Sequence, residues 1–151
     1  MSQSVVGTWR LKRWEARDAD GNVAYPLGPD AVGYLVYTPD GHVSVAMMRA
    51  DRPPFAGDDL LGGTPEELAA AAAGYVAYCG RYEVRGDGAV VHRVELSLFP
   101  NWVGSEQVRF AAVAGDELTI TTRPLRIGGE TVNQLVWERV ECAPDEFADT
   151  S

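Results

Sequence analysis

Lysine, cysteine and histidine are scarce in this 151-residue chain, and their scarcity limits the chemistry open to the protein. Lys12 is the only lysine, and strand alternation points it to solvent, so a Schiff base inside the fold is not expected. The two cysteines, Cys79 and Cys142, have neither a CxxC spacing nor a histidine cluster beside them, so no metal site is predicted. The sequence leaves open whether these two cysteines form a disulfide or stay free.

Long apolar runs and the common catalytic motifs are also missing. Nowhere do eighteen apolar residues follow one another, and the first six residues carry no basic segment. No nucleophile elbow, phosphate loop or dinucleotide motif is present, which argues against familiar hydrolytic or redox chemistry. We therefore expect a cytoplasmic protein that needs no cofactor.

Negative charge predominates, with 22 acidic residues against 13 basic ones and a formal net charge of −9. Such a surface repels phosphate backbones and anionic lipid headgroups, so neither nucleic acid nor a membrane is predicted as a partner. With 46% hydrophobic residues, the chain is long enough to bury one core. We predict a single domain over residues 1–140, followed by an acidic, disordered tail over residues 141–151. The excess of arginine over lysine is typical of GC-rich bacterial genomes.

Alternation of apolar and polar residues recurs along the chain between short turn signals. It predicts eight strands, at residues 7–17, 32–38, 42–49, 80–86, 89–98, 105–114, 117–123 and 131–140. Tight-turn residues at 38–41, 85–88 and 114–117 join neighbouring strands as hairpins. The fold class predicted is all-β, an eight-stranded antiparallel up-and-down barrel whose interior can hold one small ligand.

One helix interrupts the strands. Thr64 followed by Pro65 and two glutamates is typical of a helix start, and the helical pattern is expected to run to Gly80. Tyr75 and Tyr78 would then lie on its last turns. The helix and the Pro- and Gly-rich residues 52–63 before it form a long insertion between strands three and four, which strand direction puts over the open end of the barrel, opposite Trp9.

The two-residue period of a strand predicts which side chains enter the barrel. Relative to Trp9, Arg13 and Glu15 point inward, whereas a β-bulge would turn Trp14 inward instead, and both alternatives stay open. If Trp14 points outward, it either supports a homodimer or packs under residues 18–31. The other side chains predicted to face inward are Leu11, Val90, His92, Val94, Leu96, Leu98, Val108, Phe110, Leu118, Ile120, Thr122, Asn133, Leu135, Trp137 and Arg139.

The loop at residues 98–104 carries two large aromatic side chains and an amide where small polar residues are usual. Binding residues are often found on such loops at the mouth of a barrel. The alternative is that Phe99 and Trp102 only close the barrel under the helix. The residues predicted to bind a ligand are Tyr75, Tyr78, Phe99, Asn101, Trp102, Phe110, Arg123 and Asn133.

Two side chains are candidate proton-transfer groups, His92 and Glu15. His92 is the histidine expected inside the barrel, where it serves either as a general base or as a core residue hydrogen-bonded to a neighbouring Tyr or Thr. His42 follows the turn at the closed end and is interpreted as structural.

Several stretches resemble one family over residues 5–140. They include Gly7-Thr8-Trp9, Leu135-Val136-Trp137-Glu138-Arg139 and the segments 33–42, 74–78, 91–95 and 99–104. This pattern is similar to the lipocalin-like domain family of bacteria and fungi. The resemblance implies a calycin barrel in which Trp9 plugs the floor, Arg139 packs across its indole and a small apolar molecule is bound. Haem-binding barrels of the nitrobindin type have further glycines after Gly-x-Trp, where this chain has Arg10-Leu11, so haem is not expected.

Two functions remain open at this stage. The first is an intracellular carrier or sequestering protein for a small hydrophobic or aromatic, polyketide-like metabolite. The second is a cofactor-free isomerase or cyclase acting on a natural-product intermediate, in which His92 or Glu15 moves a proton inside the closed cavity.

Overall fold

The computed structural model describes residues 4–141. Of the predicted tail, only Glu141 falls within this range, and Cys142 lies outside it. Within these residues no helix is long and apolar enough to cross a bilayer. The elements are β1 (Gly7–Arg17), β2 (Val23–Ala24), β3 (Val32–Tyr37), β4 (His42–Met48), α1 (Pro65–Ala73), β5 (Tyr75–Val84), β6 (Ala89–Ser97), a 3₁₀ turn (Pro100–Trp102), β7 (Glu106–Ala114), β8 (Glu117–Thr122), β9 (Leu125–Arg126) and β10 (Glu130–Arg139).

Eight strands close into an antiparallel barrel in the order β1, β3, β4, β5, β6, β7, β8 and β10, with β10 paired back onto β1. The two-residue strands β2 and β9 add to the edges of β1 and β10. The predicted all-β, lipocalin-like barrel is therefore confirmed. Its predicted strand limits agree to within one residue, except for the strand that follows the helix.

The hairpin turns use glycine where the backbone requires it. Gly41 has φ 93° and Gly88 has φ 85°, a region that residues with a side chain rarely adopt. Their N–H groups donate to the carbonyls of Thr38 and Arg85, at 3.2 and 3.3 Å. These turns connect β3 to β4 and β5 to β6 at the closed end of the barrel.

The helix is shorter than predicted. It begins with a capping box, in which the Glu67 N–H donates to the Thr64 hydroxyl at 3.1 Å and the Thr64 N–H donates to the Glu67 carboxylate at 2.9 Å. It ends at Gly74, and Tyr75 already pairs with Met48 on β4. The prediction that Tyr75, Tyr78 and Cys79 lie on the helix was wrong, because β-sheet pairing takes over immediately after Gly74.

The floor of the barrel is built around Trp9. Its side chain is fully buried, and its Nε1–H donates to the Val5 carbonyl at 2.8 Å. The guanidinium carbon of Arg139 lies 4.2 Å from the centre of the Trp9 ring system, and Arg139 also donates to the Val6 carbonyl at 3.1 Å. The first and last strands therefore meet through this pair, as the family resemblance implied.

Two irregularities in strand register change which side chains enter the barrel. In β1, the register shifts between Leu11 and Arg13, which buries Trp14 and turns Arg13 and Glu15 to the outer face. Of the two predicted alternatives, the bulge is therefore correct, and Trp14 is not available on an outer face for a dimer. The homodimer itself stays a prediction.

The second irregularity lies between Cys79 and Gly80, where β5 pairs with β6. Beyond it Leu96 is 67% exposed and Leu98 is 46% exposed, so the prediction that both point inward was wrong. Gly80 suits this position because a Cβ there would overlap the carbonyl oxygen of Arg93. Strict alternation cannot count the extra residue that such an irregularity inserts.

Strand β7 is also offset from its predicted orientation. Gln107 pairs with the inward-facing His92, and Arg109 pairs with the inward-facing Val90, so both enter the barrel. Val108 and Phe110 therefore face outward, and the prediction that they line the interior was wrong. Apolar residues on both faces of this strand gave the sequence pattern no means of choosing between the two orientations.

Candidate ligand-binding cavity

A cavity occupies the barrel between the Trp9 floor and the mouth. It is small, with a volume of about 40 Å³. Its walls are mainly aromatic and aliphatic, with polar groups at a few positions. The lining residues are Trp14, Leu35, Tyr37, Val45, Met47, Val76, Tyr78, His92, Trp102, Arg109, Ile120, Thr122, Leu125, Ile127, Asn133, Leu135 and Trp137.

Aromatic side chains line the cavity on several sides. The rings of Tyr78 and Trp102 meet edge to face, with centroids 5.6 Å apart and an interplanar angle of 83°. Phe99 packs on the other side of Trp102 at 5.7 Å. Such walls offer a ligand ring both apolar area and edge-to-face partners. A small, flat aromatic molecule suits this lining.

His92 lies between two tyrosines deep in the barrel. The Tyr37 hydroxyl is 2.7 Å from Nε2, and the Tyr78 hydroxyl is 2.7 Å from Nδ1. Burial, with a smaller contribution from the charge of Arg109, lowers the pKa of His92 to about 3. The imidazole is therefore neutral at physiological pH. Because a neutral imidazole has one N–H and one lone pair, it donates to one tyrosine and accepts from the other.

Arg109 extends into the cavity beside this triad. It is only 6% exposed, and its guanidinium donates to the Val108 carbonyl at 3.2 Å and the Gln107 side-chain oxygen at 3.4 Å. Burial raises the pKa of Tyr78, and that of Tyr37 well above its usual value, while the Arg109 charge partly opposes both shifts. Both hydroxyls therefore stay protonated. Sequence reasoning missed Arg109 and Tyr37 altogether.

Asn133 organises a second polar wall. The Trp14 Nε1–H donates to its side-chain oxygen at 2.8 Å, and its own backbone N–H donates to the Thr122 hydroxyl at 3.0 Å. Its amide nitrogen also donates to the Thr131 hydroxyl at 3.2 Å. This network fixes the indole plane of Trp14 against the cavity and satisfies the buried amide.

The structure brings four of the predicted site residues to the cavity: Tyr78, His92, Trp102 and Asn133. Tyr75 and Phe99 line an outer groove just beyond the mouth instead. Trp102 and Ile127 border both spaces and so separate the cavity from the groove. Asn101 is exposed on the 3₁₀ turn, and it lines neither the cavity nor the groove.

Three other predicted site residues lie outside the barrel. Arg123 stacks over the Phe110 ring at 5.6 Å on the outer face, because β7 has the opposite orientation to the one predicted. Glu15 lies between Arg13 and Arg17, with a 3.8 Å ion pair to each, because of the bulge in β1. The predicted inward position of Phe110 was therefore wrong, and of the two alternatives left open for Glu15 the structure shows the outward one, which rules it out as a proton-transfer group inside the cavity.

Within residues 4–141, no three His, Cys, Asp or Glu side chains are grouped so that they could hold an ion. The cavity itself offers hydrogen-bonding groups, one buried positive charge and aromatic contacts.

The low pKa of His92 makes folding stability depend on pH. The unfolded chain protonates its histidines below about pH 6.5, whereas folded His92 stays neutral down to about pH 3. The contribution of His92 to the free energy of unfolding is therefore lost as the pH falls through that window, by roughly 1.4 kcal/mol per pH unit.

We expect His92→Gln to remove this dependence of the unfolding free energy on pH, measured by urea unfolding between pH 4 and 7.5. His42, which is exposed, provides the matched histidine substitution His42→Gln as the control. Parallel curves for wild type and His92→Gln would contradict the burial of a neutral imidazole.

The interior of an eight-stranded barrel is wide enough for one small ligand at most, and the fold and the cavity together define the class as a closed eight-stranded β-barrel with an internal cavity. Residues 6–140 match the lipocalin-like domain family, and the chain belongs to that family. The similar proteins include the 4'-hydroxy-3'-methoxypropiophenone carrier protein of Aspergillus oryzae. It is 38% identical over 107 residues, which are 65% of this chain and 96% of that protein.

Proposed function

We propose that this protein is an intracellular carrier that binds a small aromatic, polyketide-like metabolite in the barrel cavity and releases it unchanged. The observation that carries the proposal is the composition of the cavity. Aromatic and aliphatic walls surround a few fixed polar groups, a combination typical of sites that orient one small ligand.

The relative supports the ligand class. Its name gives its cargo as an aryl ketone with one hydroxyl and one methoxy group, and the match covers 96% of its length. A molecule of that shape combines a flat ring with oxygen atoms at both ends. The cavity of this chain offers matching contacts, with Trp102 and Tyr78 for the ring and with His92, Arg109 and the tyrosines for an oxygen.

Two observations favour carriage over the isomerase or cyclase alternative. Both ring nitrogens of His92 are already bonded to tyrosine hydroxyls, and its low pKa makes it a weak base. Glu15, the other candidate for proton transfer, lies on the outer face. Catalysis would therefore require the Tyr37–His92–Tyr78 group to break its own hydrogen bonds.

The test uses 4'-hydroxy-3'-methoxypropiophenone as the probe. Trp14, Trp102 and Trp137 line the cavity, so their fluorescence should change as the probe binds, and the titration should saturate at one molecule per chain. After overnight incubation the extracted probe should be recovered chemically unchanged by liquid chromatography and mass spectrometry. No saturable binding would contradict the proposal. Conversion of the probe into an isomer of identical mass would favour the enzyme instead.

A further inference from the structure

One positive charge is buried inside the barrel without an acidic partner. Arg109 is 6% exposed, and the residues lining the cavity include no Asp or Glu. Within residues 4–141 it takes part in no ion pair, although nine ion pairs of lysine or arginine form elsewhere on the molecule. Its protein contacts are neutral oxygens, those of the Val108 carbonyl, the Gln107 side chain and the Tyr78 hydroxyl.

Burying an unpaired charge is costly, and proteins usually neutralise such a charge with a counter-ion. The groups around Arg109 supply none. His92 is neutral, and both Tyr37 and Tyr78 hold their protons because burial raises the pKa of each hydroxyl. An arginine side chain cannot release its own proton in a protein. The cavity therefore carries a net charge of +1 before a ligand enters.

The hydrogen bonds between His92 and its two tyrosines also leave the cavity with a donor that the imidazole does not use. Neutral His92 can accept a hydrogen bond from only one of its two tyrosines, since its single N–H donates to the other. One tyrosine hydroxyl therefore keeps a hydrogen that the imidazole does not use. This O–H and the guanidinium of Arg109 both border the cavity, whereas no carboxylate acceptor lines it.

We propose that Arg109 binds an ionisable oxygen of the ligand, an acidic phenol or enol that enters the cavity as its anion. This inference rests on the proposed function and specifies the class of metabolite that the barrel selects. A phenol para to a ketone suits this site, because its anion is delocalised into the carbonyl group and the ring stays flat. A neutral ether of the same shape would fill the cavity but leave Arg109 without a counter-ion.

The experiment compares two probes that differ in one methyl group, 4'-hydroxy-3'-methoxypropiophenone and its ether 3',4'-dimethoxypropiophenone. Calorimetry at pH 7 should show the phenol binding at least about 10-fold more tightly than the ether. The absorption spectrum of the bound phenol should be that of the phenolate at a pH where the free probe is still protonated.

Variants assign the effect to Arg109. Arg109→Gln should weaken phenol binding by about 10- to 100-fold and ether binding by less than about threefold. It should also abolish the phenolate spectrum. Arg123→Gln, which removes the same charge from the outer face, should change neither affinity by more than about twofold. Thermal unfolding of each variant shows whether the fold is kept, and Arg109→Lys should restore part of the preference for the phenol.

The affinity for the phenol should change with pH in one defined direction. A bound phenol that ionises more readily than the free probe binds fewer protons in the complex, so its affinity should rise with pH. The rise should reach a plateau above the pKa of the free phenol, and ether binding should stay flat. His92 does not titrate in this window, and no carboxylate faces Arg109 from the lining strands.

Three outcomes would overturn the inference. Equal affinity for the two probes with a neutral phenol spectrum would keep the carrier proposal and refute the bound anion. A phenol preference that survives unchanged in Arg109→Gln would assign the anion to another group. Binding of neither probe would contradict both proposals.

Discussion

Replacing Trp9 with alanine is expected to lower the free energy of unfolding by about 3–5 kcal/mol, the largest stability effect of any single change considered. The side chain is fully buried, its Nε1–H is bonded to Val5, and its ring supports Arg139. Alanine would leave a cavity at the point where β1 and β10 close the barrel. Arg139 would also lose the aromatic face that it covers.

Urea unfolding followed by circular dichroism measures this loss. Trp102→Ala is the matched control, because Trp102 is only partly buried and lies at the mouth, away from the closing strands. Its loss should be clearly smaller. A Trp9→Ala protein within about 1 kcal/mol of wild type would show that the floor does not hold the barrel closed.

Replacing Val76 with tryptophan is expected to weaken binding of the propiophenone probe by more than about 100-fold. Val76 borders both the inner cavity and the outer groove, next to Trp102 and Ile127. An indole at this position would occupy the passage between the outer groove and the cavity. Because Val76 is partly exposed, the larger side chain has room at the mouth.

Calorimetry is the measurement, since the added tryptophan changes the protein's fluorescence. Val84→Trp makes the same substitution on the same strand at a position that is 58% exposed, and it should bind like wild type. If Val76→Trp also bound normally, the probe would not enter through this mouth or lie in this cavity.

The barrel could be predicted from the sequence because its strands alternate and its turns use glycine. Gly41 and Gly88 mark hairpins that the structure contains, and the Trp9–Arg139 pair marks the closing strands. What alternation could not predict was register. The bulge after Leu11 and the irregularity at Gly80 each insert a residue that a two-residue period does not contain.

The helix end shows a second limit of local patterns. Residues 65–79 read as one helix by their alanines and spacing, yet the backbone becomes a strand at Tyr75. The competing signal is non-local, because β4 has an edge that needs a partner and residues 75–81 supply it. Tertiary pairing outweighed helix propensity over the last third of the segment.

The site was predicted in part. His92 was placed inside the barrel by its apolar neighbours, and Asn133 by the alternation of the last strand. Arg109 was missed because a charged residue on a strand is normally assigned to solvent, and the structure keeps it inside through the fixed pairing of β7 with β6 and β8. Tyr37 was missed because nothing local marks it as a partner of His92, 55 residues away.

The most direct test of the account is a crystal structure of the protein with 4'-hydroxy-3'-methoxypropiophenone bound. We expect electron density for one probe molecule inside the barrel, with its ring beside Tyr78 and Trp102. Density only in the outer groove beside Tyr75 and Phe99, with the barrel interior unchanged, would contradict it.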